Sequence, residues 1–186
     1  MLQKYDIFRG FTKWEVLQPF FADPLSWMGL REISRSSSLS TTAVKLHLDR
    51  LVKGALLVKR MAEKPGLKKK QPLYAANRDN EVFRYLKKIN NINLLNSKGV
   101  LQYLSANCQP DAIILFGSAS RGEDVKESDI DLYLQCGEKG LDLNRFESAL
   151  GRKVQLHFYS DFSKISPELK NNIINGIILS GYLKVF

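Results

Sequence analysis

Residues able to do chemistry together cluster in the second half of the chain. Leu115 to Gly122 reads Leu-Phe-Gly-Ser-Ala-Ser-Arg-Gly, and after six residues comes Asp129-Ile-Asp131-Leu. An apolar strand running into a glycine-serine turn lets backbone N–H groups approach an anion closely. Side chains two apart on a strand share a face, so Asp129 and Asp131 converge on one point. Two facing carboxylates repel unless a cation lies between them. Oxygen-only ligands suit Mg²⁺, which takes one or two carboxylates together with substrate phosphates. The pattern reads as a site for a metal-bound nucleoside triphosphate. The bland alternative is a hairpin whose surface aspartates only solubilise it.

The spacing Gly-Ser-x-x-Arg-Gly followed by Ser-Asp-Ile-Asp-Leu resembles the nucleotidyltransferase superfamily, in particular its small prokaryotic minimal nucleotidyltransferases. The resemblance covers roughly residues 95–186. It implies that Gly117 and Ser118 hold the triphosphate, that Asp129 and Asp131 are catalytic and bind Mg²⁺, and that Arg121 supports either the phosphates or the local fold. It also implies a third acid on a later strand, one residue beyond the valine of Gly-Arg-Lys-Val. Here Gly151-Arg152-Lys153-Val154 is followed by Gln155. In two-metal phosphoryl transfer one ion activates the attacking hydroxyl and the other supports the leaving group. A third acid helps to hold the activating ion and can accept a proton. Glutamine offers a carbonyl oxygen without charge or useful basicity. Nucleotide and Mg²⁺ binding is therefore expected to persist while transfer is weakened or lost. His157 shares the face of Gln155, and histidine is the residue type most often used as a general base; it is either a substitute base or a bystander at the edge of the pocket.

Elements must position these residues. Ala112–Phe116 reads as a buried strand, apolar without alternation. A short helix follows around Ser120. Asp129–Leu134 alternates, with Asp129, Asp131 and Tyr133 on one face. A helix is expected over Leu141–Leu150. In Val154–Tyr159, Val154, Leu156 and Phe158 face the core. A final helix is expected over Pro167–Asn175, and Ile177–Leu183 closes the domain. Upstream, Leu94–Ser105 reads as a helix stopped by Pro110. The expected fold class here is α/β (α+β): a nucleotidyltransferase-like mixed sheet with flanking helices.

The first half has another character. Net charge is +9 over the chain, yet residues 1–91 carry 18 Lys+Arg against 8 Asp+Glu. The basic excess thus lies wholly in this half, as expected of a part that meets a polyanion; a merely solvated basic surface is the alternative. Helical spacing runs from Phe11 to Phe21 and from Leu30 to Arg35. Ser36-Ser37-Ser38 is a turn signal. A third helix starts at the N-cap candidate Ser40, with Val44, Leu48 and Leu51 as its buried stripe. Gly54 ends it. Ala55–Arg60 reads as a strand, Pro65-Gly66 as a turn, and Leu73–Ala76 as the returning strand. The order resembles a winged helix-turn-helix, and Leu30–Arg60, with His47-Leu48-x-x-Leu51 and Lys53-Gly54, looks like the version found in bacterial and archaeal regulators. That resemblance implies duplex DNA as a partner, with Thr41, Thr42 and Lys45 reading base edges and Lys68, Lys69 and Lys70 neutralising phosphates. A module for protein contacts, such as a homodimer, is the alternative. His47 is expected to pack or to touch phosphate rather than to bind metal.

The expected division is 1–78 for the winged helix, 79–93 for a connector helix ended by its asparagines, and 94–186 for the nucleotidyltransferase-like domain. No apolar run is long enough to span a bilayer. Neither a signal peptide nor a disulfide framework is evident, so a cytoplasmic setting is expected.

Overall fold

The computed structural model describes residues 10–63 and 70–186. Among these the chain divides into two compact units, one ending at Lys87 and the other running from Lys88 to Phe186.

The first unit carries helices α1 (Thr12–Ala22), α2 (Leu30–Ser37) and α3 (Thr41–Lys53) and strands β1 (Met28–Gly29), β2 (Leu57–Ala62) and β3 (Gln71–Ala76). The strands form an antiparallel sheet in the order β1-β3-β2. Its core is aromatic and aliphatic: Val16, Leu17, Phe20, Phe21, Ile33, Val44 and Leu48 are each almost wholly buried. The expected stripe of α3 is the buried one. Ser40 caps α3, its hydroxyl accepting a hydrogen bond from the Ala43 N–H at 3.3 Å, and Gly54 ends it.

Three local expectations shift. Ser36 and Ser37 lie inside α2, where the buried Ser37 hydroxyl donates back to the Ile33 carbonyl at 2.7 Å; the chain turns only at Ser38, with φ of 56°. Ala55 is in a left-handed turn, φ 57°, so β2 begins at Leu57 rather than Ala55. The two-residue β1 was not anticipated. The Pro65-Gly66 turn, and Lys68 and Lys69, lie outside the described residues.

Helix α4 (Glu81–Ser97) runs without interruption through the asparagines expected to end it. Those asparagines are buried: Asn90, Asn91 and Asn93 are at most 7% exposed. The Asn91 Nδ2 donates to the Ala119 carbonyl at 3.0 Å, and neither Asn90 nor Asn93 lacks a partner, which removes the reason for a polar run to break a helix. In the first unit α4 buries Phe83 against Phe21, ring centroids 5.4 Å apart, and the Lys87 ammonium donates to the Phe21 carbonyl at 2.6 Å. The break comes at Gly99, whose φ of 79° suits glycine. Helix α5 (Val100–Cys108) follows.

The second unit continues with β4 (Ala112–Phe116), α6 (Gly117–Arg121), β5 (Ile130–Leu134), α7 (Asn144–Leu150), β6 (Val154–Phe158), a 3-10 turn at Phe162–Lys164, α8 (Pro167–Ile174) and β7 (Ile177–Gly181). The mixed four-stranded sheet has the order β6-β5-β4-β7. β4 is antiparallel to both neighbours, and β5 is parallel to β6. Ile130, Leu132 and Leu134 pack with α4, α5 and α7 on one face; Ile114, Phe116 and Tyr133 pack with Phe162, Ile165 and Ile173 on the other. This mixed α/β arrangement fits the fold class expected for this half.

Removing the cap of α3 tests this account of the first unit. Ser40→Ala should lower stability by about 0.5–2 kcal/mol, read as a shift in the denaturant midpoint with an unchanged slope.

Candidate functional site

Strand register places the motif residues together. Asp131 lies opposite Phe116 of β4 on one side and opposite Gln155 of β6 on the other. Gly117 follows directly at the β4–α6 junction with φ of 70°. A Cβ built on Gly117 would stand 2.6 Å from Asp131 Oδ2, so glycine is needed both for its backbone angle and for the room it leaves the carboxylate. Ser118 is half-buried in the first turn of α6.

Both carboxylates lie beside side chains of the neighbouring strand β6, and of the two β6 groups only Gln155 makes a hydrogen bond to them. Gln155 Nε2 donates to Asp129 Oδ2 at 2.5 Å. His157 Nε2 lies 3.5 Å from Asp131 Oδ1, and the imidazole stands edge-on to Phe116 with centroids 5.0 Å apart. Both contacts reach β6 residues of one face, as expected if Asp129 and Asp131 share a face of their own. Tyr133 lies on that face but is buried; its hydroxyl donates to the Tyr159 carbonyl at 3.1 Å. Burial pushes its pKa up to about 12, which removes it from acid–base work at neutral pH. Arg121 points outward and pairs with Glu123 at 2.7 Å, both side chains near half exposure.

A network behind the site has no counterpart in the sequence reading. Asp124 is 1% exposed and binds Arg152 Nη1 at 2.6 Å. The same guanidinium donates through Nε to the Ser128 carbonyl at 2.7 Å and through Nη2 to the Asp129 carbonyl at 3.1 Å. The other oxygen of Asp124 accepts from Asn91 Nδ2 at 3.0 Å. One planar fork therefore fixes the backbone that presents Asp129. Arg152 sits in the Gly-Arg-Lys-Val motif, so its presence was visible, but nothing in the surface-like Glu123-Asp124 pair announces a buried partner.

The donor set fits one hard cation. Two half-exposed carboxylates on one face, with room left for phosphate oxygens and water, match the oxygen ligation of Mg²⁺. Among the described residues no group of three His, Cys, Asp or Glu side chains is placed to hold a metal.

In the first unit Thr41, Thr42 and Lys45 are exposed on the opening turns of α3. Lys70 is exposed and 3.4 Å from Glu63. His47 is half-buried, with Nδ1 enclosed and unpartnered among the described residues. Burial first, then the Arg50 and Lys13 charges, hold its pKa below the ordinary 6.5. At pH 7 the neutral imidazole therefore prevails in the chain as it stands.

Residues 98–183 match the family model described as Polymerase beta, Nucleotidyltransferase. The match begins just before α5 and runs past β7, so it contains Gly117, Asp129, Asp131 and Gln155. No curated protein matches the chain. The similarity supports a nucleotidyltransferase domain in this part of the molecule. No helix among the described residues is long and apolar enough to cross a membrane.

Two outcomes follow. Arg152→Met strands the buried Asp124 carboxylate and should cost about 3–5 kcal/mol, measured by denaturant unfolding. His47 is held neutral in the folded chain, so its protonation favours the unfolded chain. It should subtract stability as pH falls below about 6.5, an effect complete once the lowered folded-state value is passed. His47→Gln should therefore lose less stability than wild type between pH 7.5 and pH 5.

Proposed function

We propose that this protein is a nucleotide-binding regulator, in which a nucleotidyltransferase-type site holds an NTP with Mg²⁺ but transfers weakly or not at all. The observation that carries this reading is the Gln155 amide on Asp129. A neutral donor occupies the strand position, register-paired with Asp131, where the resemblance calls for a third carboxylate.

Asp129 and Asp131 would hold Mg²⁺, which when bound neutralises and aligns the triphosphate. Gly117 leaves the backbone open to phosphate, and Ser118 adds a hydroxyl beside it. Nucleotidyl transfer would join an acceptor hydroxyl oxygen to the α-phosphorus, release pyrophosphate, and leave the hydroxyl proton to a base. Gln155 cannot take that proton. Loss of a positioned base typically lowers rate by ~10²–10⁴.

The first unit supplies the regulatory half of the proposal. Three helices followed by two long antiparallel strands, with β1 completing the sheet, are consistent with a winged helix. The exposed Thr41, Thr42 and Lys45 suit base edges in a major groove, and Lys70, with Lys68 and Lys69, suits phosphates. The protein would then act on duplex DNA in the cytoplasm, as a homodimer if its operator is palindromic.

A second reading is supported by His157. Its Nε2 beside Asp131 offers a base that Gln155 does not. The protein would then be an active Mg²⁺-dependent nucleotidyltransferase that modifies a hydroxyl on a protein or small molecule.

Incubation with labelled ATP, GTP, CTP and UTP plus candidate acceptors separates the two. We expect little label transferred by wild type and at least ten times more by Gln155→Asp. Robust wild-type transfer that Gln155→Asp leaves unchanged and His157→Gln abolishes would contradict the proposal and establish the second reading.

A further inference from the structure

We propose that the cleft between α2 and β3 seats a phosphate of the DNA backbone, gripped by Arg31 and Arg35. This rests on the DNA-binding reading of the first unit and assigns contacts that the α3 and wing residues do not cover.

The cleft has a volume of about 590 Å³ and is lined by Arg31, Arg35, Thr41 and the opening of β3, Gln71 to Leu73. A second hollow of about 510 Å³ is also walled by Arg31, Arg35 and Thr41, with Ser34. The two arginines stand four residues apart on α2, which puts their guanidinium groups on one face. Neither is ion-paired among the described residues. Among the described residues Arg35 Nε reaches only the Arg31 carbonyl, at 3.4 Å. Glu32, the acid among the lining residues, has an oxygen directed at the Gly29 N–H, 3.4 Å away. Two like charges on adjacent turns of one helix repel, and an anion between them removes that repulsion.

Chemistry and placement select the anion. A guanidinium presents a planar fork of donors that matches phosphate oxygens two at a time. Thr41 lines the cleft and opens α3. A duplex that takes the first turns of α3 into its major groove therefore brings one strand's phosphates over this cleft. Lys45 lies on the same exposed side of α3 as Thr41 and Thr42, so base reading and the phosphate grip would be adjacent.

The test is fluorescence anisotropy of the full chain with a labelled random-sequence duplex, titrated between 50 and 300 mM salt. Each phosphate contact contributes about 0.9 to the slope of log affinity against log salt. Arg31→Gln/Arg35→Gln should remove that one contact, lower the slope by about 0.9, and weaken binding at least tenfold at the lowest salt. Because both side chains are exposed, the thermal midpoint should hold. Arg31→Lys/Arg35→Lys should restore most of the slope but not all of the affinity, since charge returns without the fork. If the Gln pair leaves affinity and slope unchanged while Lys45→Ala weakens binding, the cleft is not a contact and the DNA-binding reading survives. If wild type binds no duplex at 50 mM salt, both fall. If inorganic phosphate at millimolar concentration protects the cleft thermally while the Gln pair still binds duplex normally, the cleft serves free phosphate and the proposal is wrong.

Discussion

Two carboxylates of like charge must be held on one face of β5, and the second unit is arranged around that constraint. Asp129 lies at the entry to the strand and Asp131 one pleat further on. Their mutual repulsion would splay the entry loop if nothing fixed it. Arg152 fixes it from behind, donating to the carbonyls of Ser128 and Asp129. Asp124 neutralises that arginine in the interior, and Asn91 satisfies the remaining oxygen of Asp124. The guanidinium thus holds the backbone rather than the carboxylate, and leaves the Asp129 side chain to face outward. A buried ion pair of this kind adds little net stability; its value here is to make one backbone geometry the only satisfied one.

At the front of the site the same constraint meets a different solution. Gln155 gives Asp129 a neutral donor and His157 stands beside Asp131. A third carboxylate at residue 155 would add a negative charge to this face and demand more cation to hold it. Glutamine relieves the repulsion without a second metal, and gives up the basicity that transfer requires. Under the proposed function, the residue that makes the site comfortable without a ligand is also the one that would blunt the chemistry expected of it.

Much of the site was legible because strands have a period of two. The alternation in Asp129–Leu134 and Val154–Tyr159 assigned faces correctly, and Val44, Leu48 and Leu51 gave the buried stripe of α3 by helical spacing. Reading failed where tertiary contacts satisfied polar residues. The asparagines of α4 looked like a helix end, yet Asn90, Asn91 and Asn93 are buried, and the Asn91 amide is met inside the second unit. Ser36 and Ser37 looked like a turn, yet their hydroxyls return to carbonyls one turn back. Asp124 and Arg152 are 28 positions apart, and local pattern carries no information on such a pairing. β1, two residues long, has no periodicity to detect.

Calorimetry of the intact chain with each NTP, in Mg²⁺ and in EDTA, tests the central claim most directly. The account predicts that at least one NTP binds in Mg²⁺, and that Asp131→Asn and EDTA each abolish or greatly weaken it. Absence of heat with every NTP at millimolar concentration, or binding indifferent to both EDTA and Asp131→Asn, would contradict it.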